Sequence, residues 1–109
     1  MRFYKPMLAK SVSKPFSGKN WIFEIKWDGF RAIAYVDDFF TIQSRNGKEL
    51  KNFFPELEEL RQSAKKVVVD GEIVTMKQGK VDFHSLQERG YVISARDLKL
   101  LLYILAFLV

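Results

Sequence analysis

The sequence has 109 residues, 48% of them apolar and 28% charged, which allows one globular domain at most and excludes a disordered, collagenous or low-complexity chain. The absence of cysteine and the single histidine exclude a disulfide framework, a thiolate metal centre and a multi-histidine metal site. The net charge of +5 is unevenly spread: residues 1–20 hold Arg2, Lys5, Lys10, Lys14 and Lys19 and no acid, while the remaining 89 residues balance 13 basic against 13 acidic side chains.

In chain order, residues 1–20 read as an extended basic arm, because Pro6 and Pro15 break regular structure and Ser11, Ser13, Ser17 and Gly18 favour turns. Such an arm is the electrostatic footprint of a polyanion binder; the plainer reading is a solvated, solubilising tail. From Trp21 to Asp28 the aromatic and β-branched content predicts a strand. Phe30–Val36 predicts a second strand and Phe39–Ser44 a third, with turns at Asp37-Asp38 and Asn46-Gly47, so the three form an expected antiparallel meander. A helix is expected from Phe54 to Lys66, with Pro55 in its first turn, Glu56, Glu58 and Glu59 at its positive end, and Leu57, Leu60 and Ala64 on one face. The glutamate cluster reads as a solvated helix face rather than a metal site.

Val67–Val69 predicts a buried strand that Gly71–Met76 extends past a kink, and Gln78-Gly79 predicts a turn. Asp82 can cap a short helix reaching Arg89, in which His84 is structural or surface-exposed. From Leu98 to Val109, 11 of 12 residues are apolar, which is short of the ~20 needed to span a bilayer. Periodicity leaves that run open between helix and strand. Met1–Ser11 lacks the apolar core of a signal peptide, so the expected location is the cytoplasm. The class expected is α+β, an antiparallel sheet with one or two packed helices. The expected division is a basic arm over residues 1–20 and a single domain over residues 21–109.

The chemistry concentrates in Glu24-Ile25-Lys26-Trp27-Asp28-Gly29-Phe30-Arg31. On a strand, Glu24, Lys26 and Asp28 share one face and Ile25 and Trp27 the other. Gly29 permits close backbone approach, and Arg31 can hold a phosphate or carboxylate bidentately. Lys26 is then either a salt-bridged strand lysine or a nucleophile. A nucleophilic amine must first lose its proton, which adjacent carboxylates oppose and an incoming polyphosphate with its metal ion rebalances.

Lys26-x-Asp28-Gly29-x-Arg31 resembles the first signature motif of the covalent nucleotidyltransferases, the superfamily of DNA ligases, RNA ligases and capping enzymes. Four fixed residues at ~6% each match by chance in roughly one chain in a thousand of this length. Ser44-Arg45-Asn46-Gly47 is similar to the next motif, and Asp70-Gly71-Glu72 between apolar residues to the third. Pro6-Met7-Leu8-Ala9, with Phe83 and Leu86-Gln87, resembles ATP-dependent DNA ligases of the archaeal and bacterial end-joining kind. The resemblance covers about residues 6–107.

The resemblance implies that Lys26 attacks the α-phosphate of ATP and carries AMP, which passes to a 5′-phosphate of nicked double-stranded DNA before the 3′-hydroxyl displaces it. It implies adenine recognition by Glu24 with Ile25 beside it, and contacts of Arg31 and Arg45 with ribose, phosphates or the DNA end. Glu72 would touch the ribose or support a Mg²⁺ or other divalent ion, and Phe107 would stack on adenine. The aspartate expected after Phe107 is replaced by Leu108. The family's fourth and fifth motifs and its OB-fold domain would lie beyond Val109. The expectation is therefore the front half of an adenylation domain, impaired alone and completed by a C-terminal ligase fragment. The alternatives are a non-catalytic nucleotide- or DNA-binding module and one part of a split ligase. Burial of Leu98–Val109 against a second copy predicts a homodimer.

Overall fold

The computed structural model describes residues 3–84, 87 and 99–107. All its strand pairings are antiparallel. β1 (Phe30–Val36) and β2 (Phe40–Ser44) form a hairpin closed by Asp37, whose Oδ1 accepts the Phe39 N–H at 2.8 Å. β3 (Val67–Lys77) pairs with the other edge of β1, β4 (Lys80–Val81) folds back on β3 through the Gln78-Gly79 turn, and β5 (Lys99–Phe107) takes the opposite edge of β3. The register between β3 and β5 shifts at Asp70/Gly71. The α+β expectation holds, and the C-terminal run resolves as a strand.

β1 is central because both of its faces are apolar, and Ala32 through Val36 are all buried. On one face Ala32, Ala34, Val36, Phe40, Ile42 and Ile73 pack against Leu50, Phe54 and Leu57. On the other, Ile33, Tyr35 and Val68 pack with Tyr4 of the arm.

Three expectations are corrected. Trp21–Asp28 is not a strand: the segment is irregular, and Trp21, Ile22, Phe23 and Ile25 are 60–87% exposed. A strand exists only with a partner, and β2 and β3 already occupy both edges of β1. The meander therefore lacks its first strand, and the third member of the sheet comes from β3. The single helix expected over 54–66 is instead a 3-10 segment, Pro55–Glu59, leading into a one-turn α1 (Leu60–Ser63), with a further 3-10 segment, Lys51–Phe53, just before it. Phe54, Leu57 and Leu60 recur every three residues, the 3-10 repeat, so tight turns keep all three on the core. Ala64 is extended, which leaves Lys65 and Lys66 outside the helix. Of the short helix expected from Asp82 to Arg89, Asp82 is irregular, Phe83, His84 and Gln87 are helical, and Ser85, Leu86, Glu88 and Arg89 lie outside the described residues, as do Leu98, Leu108 and Val109.

Candidate nucleotide-binding cleft

Three local structures converge at one end of the sheet. The first is the bend before β1. A Cβ on Gly29 would lie 2.0 Å from the Ile73 carbonyl oxygen, so only glycine lets this backbone come so close to β3. That approach brings the Gly29 backbone against β3, next to Glu72.

The second is the turn after β2. Ser44 Oγ accepts the N–H groups of Asn46 and Lys48 at 3.3 and 3.0 Å, the Gly47 N–H donates to the Ser44 carbonyl at 2.9 Å, and Gly47 has φ +82°. The turn presents Arg45 outward. Glu49 fastens its far side: its carboxylate accepts the Thr41 hydroxyl and the N–H groups of Lys51 and Ile42. Burial pushes the Glu49 carboxyl up, but these hydrogen bonds outweigh it and leave the group below its ordinary value.

The third is β3. Arg31 stands opposite Glu72 and diagonal to Asp70 in the β1–β3 register. Its Nε and Nη2 donate to the two Asp70 oxygens, both at 2.6 Å, with side chains 21% and 9% exposed. The hydrogen bond to Asp70 and its charge hold the Arg31 guanidinium above its ordinary value against the opposing effect of burial. A guanidinium has five N–H donors, so three remain free of Asp70. Burial pushes the Glu72 carboxyl up, with Asp28 adding to the shift and Arg31, Lys26 and the Gly29 N–H opposing it.

These elements enclose a cleft of about 670 Å³ that gathers Lys26, Arg31, Arg45, Lys48 and Glu72, with Leu8 and Ala9 of the arm on its rim. Four cations against one carboxylate suit a polyanionic ligand. Of the residues expected at the site, Lys26, Arg31, Arg45 and Glu72 are thus together. Glu24 and Ile25 are exposed and do not line the cleft. The shared strand face expected for Glu24, Lys26 and Asp28 is absent with the strand. Phe107 ends β5 opposite Val69. Asp70 is a site residue that sequence reasoning misses, although its place in Asp70-Gly71-Glu72, two residues before Glu72 on a strand, is a signal for it.

Among the described residues no three His, Asp or Glu side chains converge as a metal cage. A single carboxylate in a cleft with room for phosphates does fit Mg²⁺, which binds through one or two carboxylates plus substrate oxygens. Glu72 fits that role, since a cation would favour its charged form. Among the described residues no helix is long and apolar enough to cross a membrane.

Residues 6–107 match the family described as ATP dependent DNA ligase domain. DNA ligase C1 of Mycolicibacterium smegmatis is 44% identical over 100 residues, covering 84% of this chain and 29% of that protein. DNA ligase C of Mycobacterium tuberculosis is 37% identical over 94 residues, covering 84% of this chain and 26% of its own length. A mycobacterial DNA ligase D solved in complex with ATP and MES superposes with a TM-score of 0.66 at 28% identity, over 79% of this chain and 28% of that one. The chain thus spans between about a quarter and three-tenths of the length of these relatives. With the family match covering nearly all of the sequence, the chain belongs to the ATP-dependent DNA ligase domain family.

Proposed function

We propose that the cleft binds ATP and that Lys26 takes AMP from it, as the first step of DNA ligation. The observation that carries this reading is the convergence of Lys26, Arg31, Arg45 and Glu72, from separate segments, on one cationic cleft. In the step, the lone pair of the unprotonated Lys26 Nζ attacks the α-phosphorus, the α–β phosphoanhydride bond breaks, and pyrophosphate leaves with its electron pair. The amine proton passes to solvent. Arg31 and Arg45 offset the negative charge of the phosphates, and Asp70 fixes the Arg31 guanidinium in the plane that receives them. Glu72 is the residue that would hold a divalent cation, which supplies charge neutralisation at the phosphates. Glu24, Ile25 and Phe107 are the residues that the family resemblance assigns to the base; Glu24 and Ile25 lie next to Lys26 in sequence and outside the cleft lining. AMP is then passed to the 5′-phosphate of nicked DNA, and the 3′-hydroxyl displaces it.

The reading extends to the whole molecule. Residues 1–20 act as a basic arm and residues 21–109 as part of an adenylation domain that works with further ligase segments, in the cytoplasm. β5 has β3 on one edge and no strand on the other among the described residues, which supports pairing with a second copy. Light scattering behind a sizing column tests this: a dimer is expected, and a clean 12.8 kDa species at micromolar concentration excludes it.

The catalytic reading is tested by incubation with α-labelled ATP and Mg²⁺, with the chain alone and with the remaining part of M. smegmatis DNA ligase C1 supplied in trans. Label is expected on the wild-type chain in the complemented reaction and on none of the Lys26→Ala variant. Label that survives that substitution contradicts the assignment. ATP binding without label in either reaction favours a nucleotide-binding module instead.

A further inference from the structure

The N-terminal arm is fastened to the sheet by one hydroxyl. Tyr35 lies in β1, 31 residues from Tyr4 in sequence, and is 1% exposed. Its Oη accepts the Tyr4 N–H at 2.8 Å and donates to the Tyr4 carbonyl oxygen at 3.4 Å. Both bonds are to backbone, so they fix the course of the arm itself. The Phe3 ring meets the Tyr35 ring edge-on, with centroids 5.0 Å apart. Tyr4 packs against the Ile33, Tyr35 and Val68 cluster, and on either side of it Phe3 and Lys5 are exposed, the alternation of an extended chain lying on a surface.

Fixing the arm builds a second cleft, of about 510 Å³, with Phe3, Tyr4 and Lys5 on one side and Ser44, Arg45 and Asn46 of the turn after β2 on the other. Its described lining holds two cations and no acid, and neither Lys5 nor Arg45 pairs with a carboxylate among the described residues. Two unpaired cations in one concave site suit an anion. Ser44, Arg45 and Asn46 also line the nucleotide cleft, so the two clefts adjoin at the turn. A free nucleotide ends at its phosphates, whereas a nucleic-acid strand repeats a phosphate at every nucleotide and continues from one site to the next. We infer that Lys5 seats a backbone phosphate of a DNA strand in this second cleft, and that Tyr35 is the positioning residue that holds Lys5 there. A lysine already in place needs no ordering of the chain when the phosphate arrives, while a loose arm must first be ordered. The inference rests on the ligase reading above. It makes the start of the arm a fixed part of the DNA surface rather than a loose basic tail.

The test is a double-mutant cycle read by fluorescence anisotropy of a labelled nicked DNA duplex at low ionic strength. The proteins are the wild-type chain, Tyr35→Phe, Lys5→Ala and the double variant, and a melting curve reports the folding of each. Tyr35→Phe removes only the hydroxyl and is expected to weaken duplex binding about three- to tenfold. In the Lys5→Ala background the same substitution should cost less than about twofold, because the hydroxyl acts through Lys5. A purely structural role would cost the same in both backgrounds, and that result overturns the inference. Phe3→Ala loosens the same arm from outside both core clusters and should repeat the pattern if Tyr35→Phe fails to fold. Lys5→Ala should also flatten the slope of log K against log salt by about 0.9, the loss of one phosphate contact. If the single variants lose inorganic tripolyphosphate as strongly as duplex, the cleft takes free polyphosphate and the strand assignment is wrong. Duplex binding unchanged in both single variants overturns the inference and leaves the DNA reading standing. A wild-type chain that binds no duplex even at low salt removes the DNA reading and the inference with it.

Discussion

Asp70 is the least solvated acid among the described residues, and its worth depends on Arg31. Two short, parallel, charge-assisted hydrogen bonds make the pair a rigid unit, yet neither ion gains much from burial once its partner is removed. Asp70→Asn keeps the shape and removes the charge, and should cost about 2 kcal/mol. For a domain of this size that is a fall of roughly 10 °C in Tm. Arg31→Ala combined with Asp70→Asn should cost less than the two singles summed; strict additivity in the double-mutant cycle would show the pair to be uncoupled. Gly29 is a harsher case. Gly29→Ala puts a methyl 2.0 Å from the Ile73 carbonyl oxygen, so the bend must open, at a cost of roughly 3 kcal/mol or more. A thermal melt within about 2 °C of wild type would mean the approach is relieved cheaply.

The turn between Ser44 and Leu50 owes its shape to two side chains that accept backbone N–H groups, Ser44 and Glu49. Because the folded-state Glu49 carboxyl lies below its ordinary value of 4.5, its contribution is present above that value and is lost as the pH falls through the lower folded one. Glu49→Gln should therefore be less stable than wild type at about pH 6 and above, and the two melting curves should converge in acid. Glu49 is exposed, so the difference is modest. A gap that widens in acid would reverse the sign argued here. The elements also show what a sequence can specify. Phe30–Val36 and the strand ending at Ser44 are legible because alternation and the turn residues Asp37 and Asn46-Gly47 act locally. Trp21–Asp28 has equal strand content but no edge to pair with, and that is settled by β3, some forty residues away. The helix expected after Phe54 fails because a three-residue repeat of Phe54, Leu57 and Leu60 passes for a 3.6-residue one over so short a stretch. At the cleft, Lys26, Arg31, Arg45 and Glu72 are recognisable from motif spacing. The Arg31–Asp70 pair spans 39 residues and needs the strand register to appear.

At the scale of the molecule, charge and fold meet in the arm. Lys5 lies beside Arg45 on a second cleft of about 510 Å³ that shares Ser44, Arg45 and Asn46 with the first. DNA binding should accordingly be weak and salt-sensitive. Replacing Lys5, Lys10 and Lys14 with alanine should flatten the slope of log K against log salt by about 0.9 for each phosphate that is no longer neutralised. An unchanged slope would assign binding to the Arg31 and Arg45 face or to no DNA function. An amide NMR titration of the ¹⁵N-labelled chain with ATP and Mg²⁺ decides whether one cleft built by three separate segments receives a nucleotide. Saturable shifts are expected at Gly29 and Arg31, at Arg45 and Asn46, and at Glu72, all following one binding curve. Shifts confined to one of these segments, spread along the lysines of the arm, or absent at saturating ATP would contradict a single nucleotide cleft.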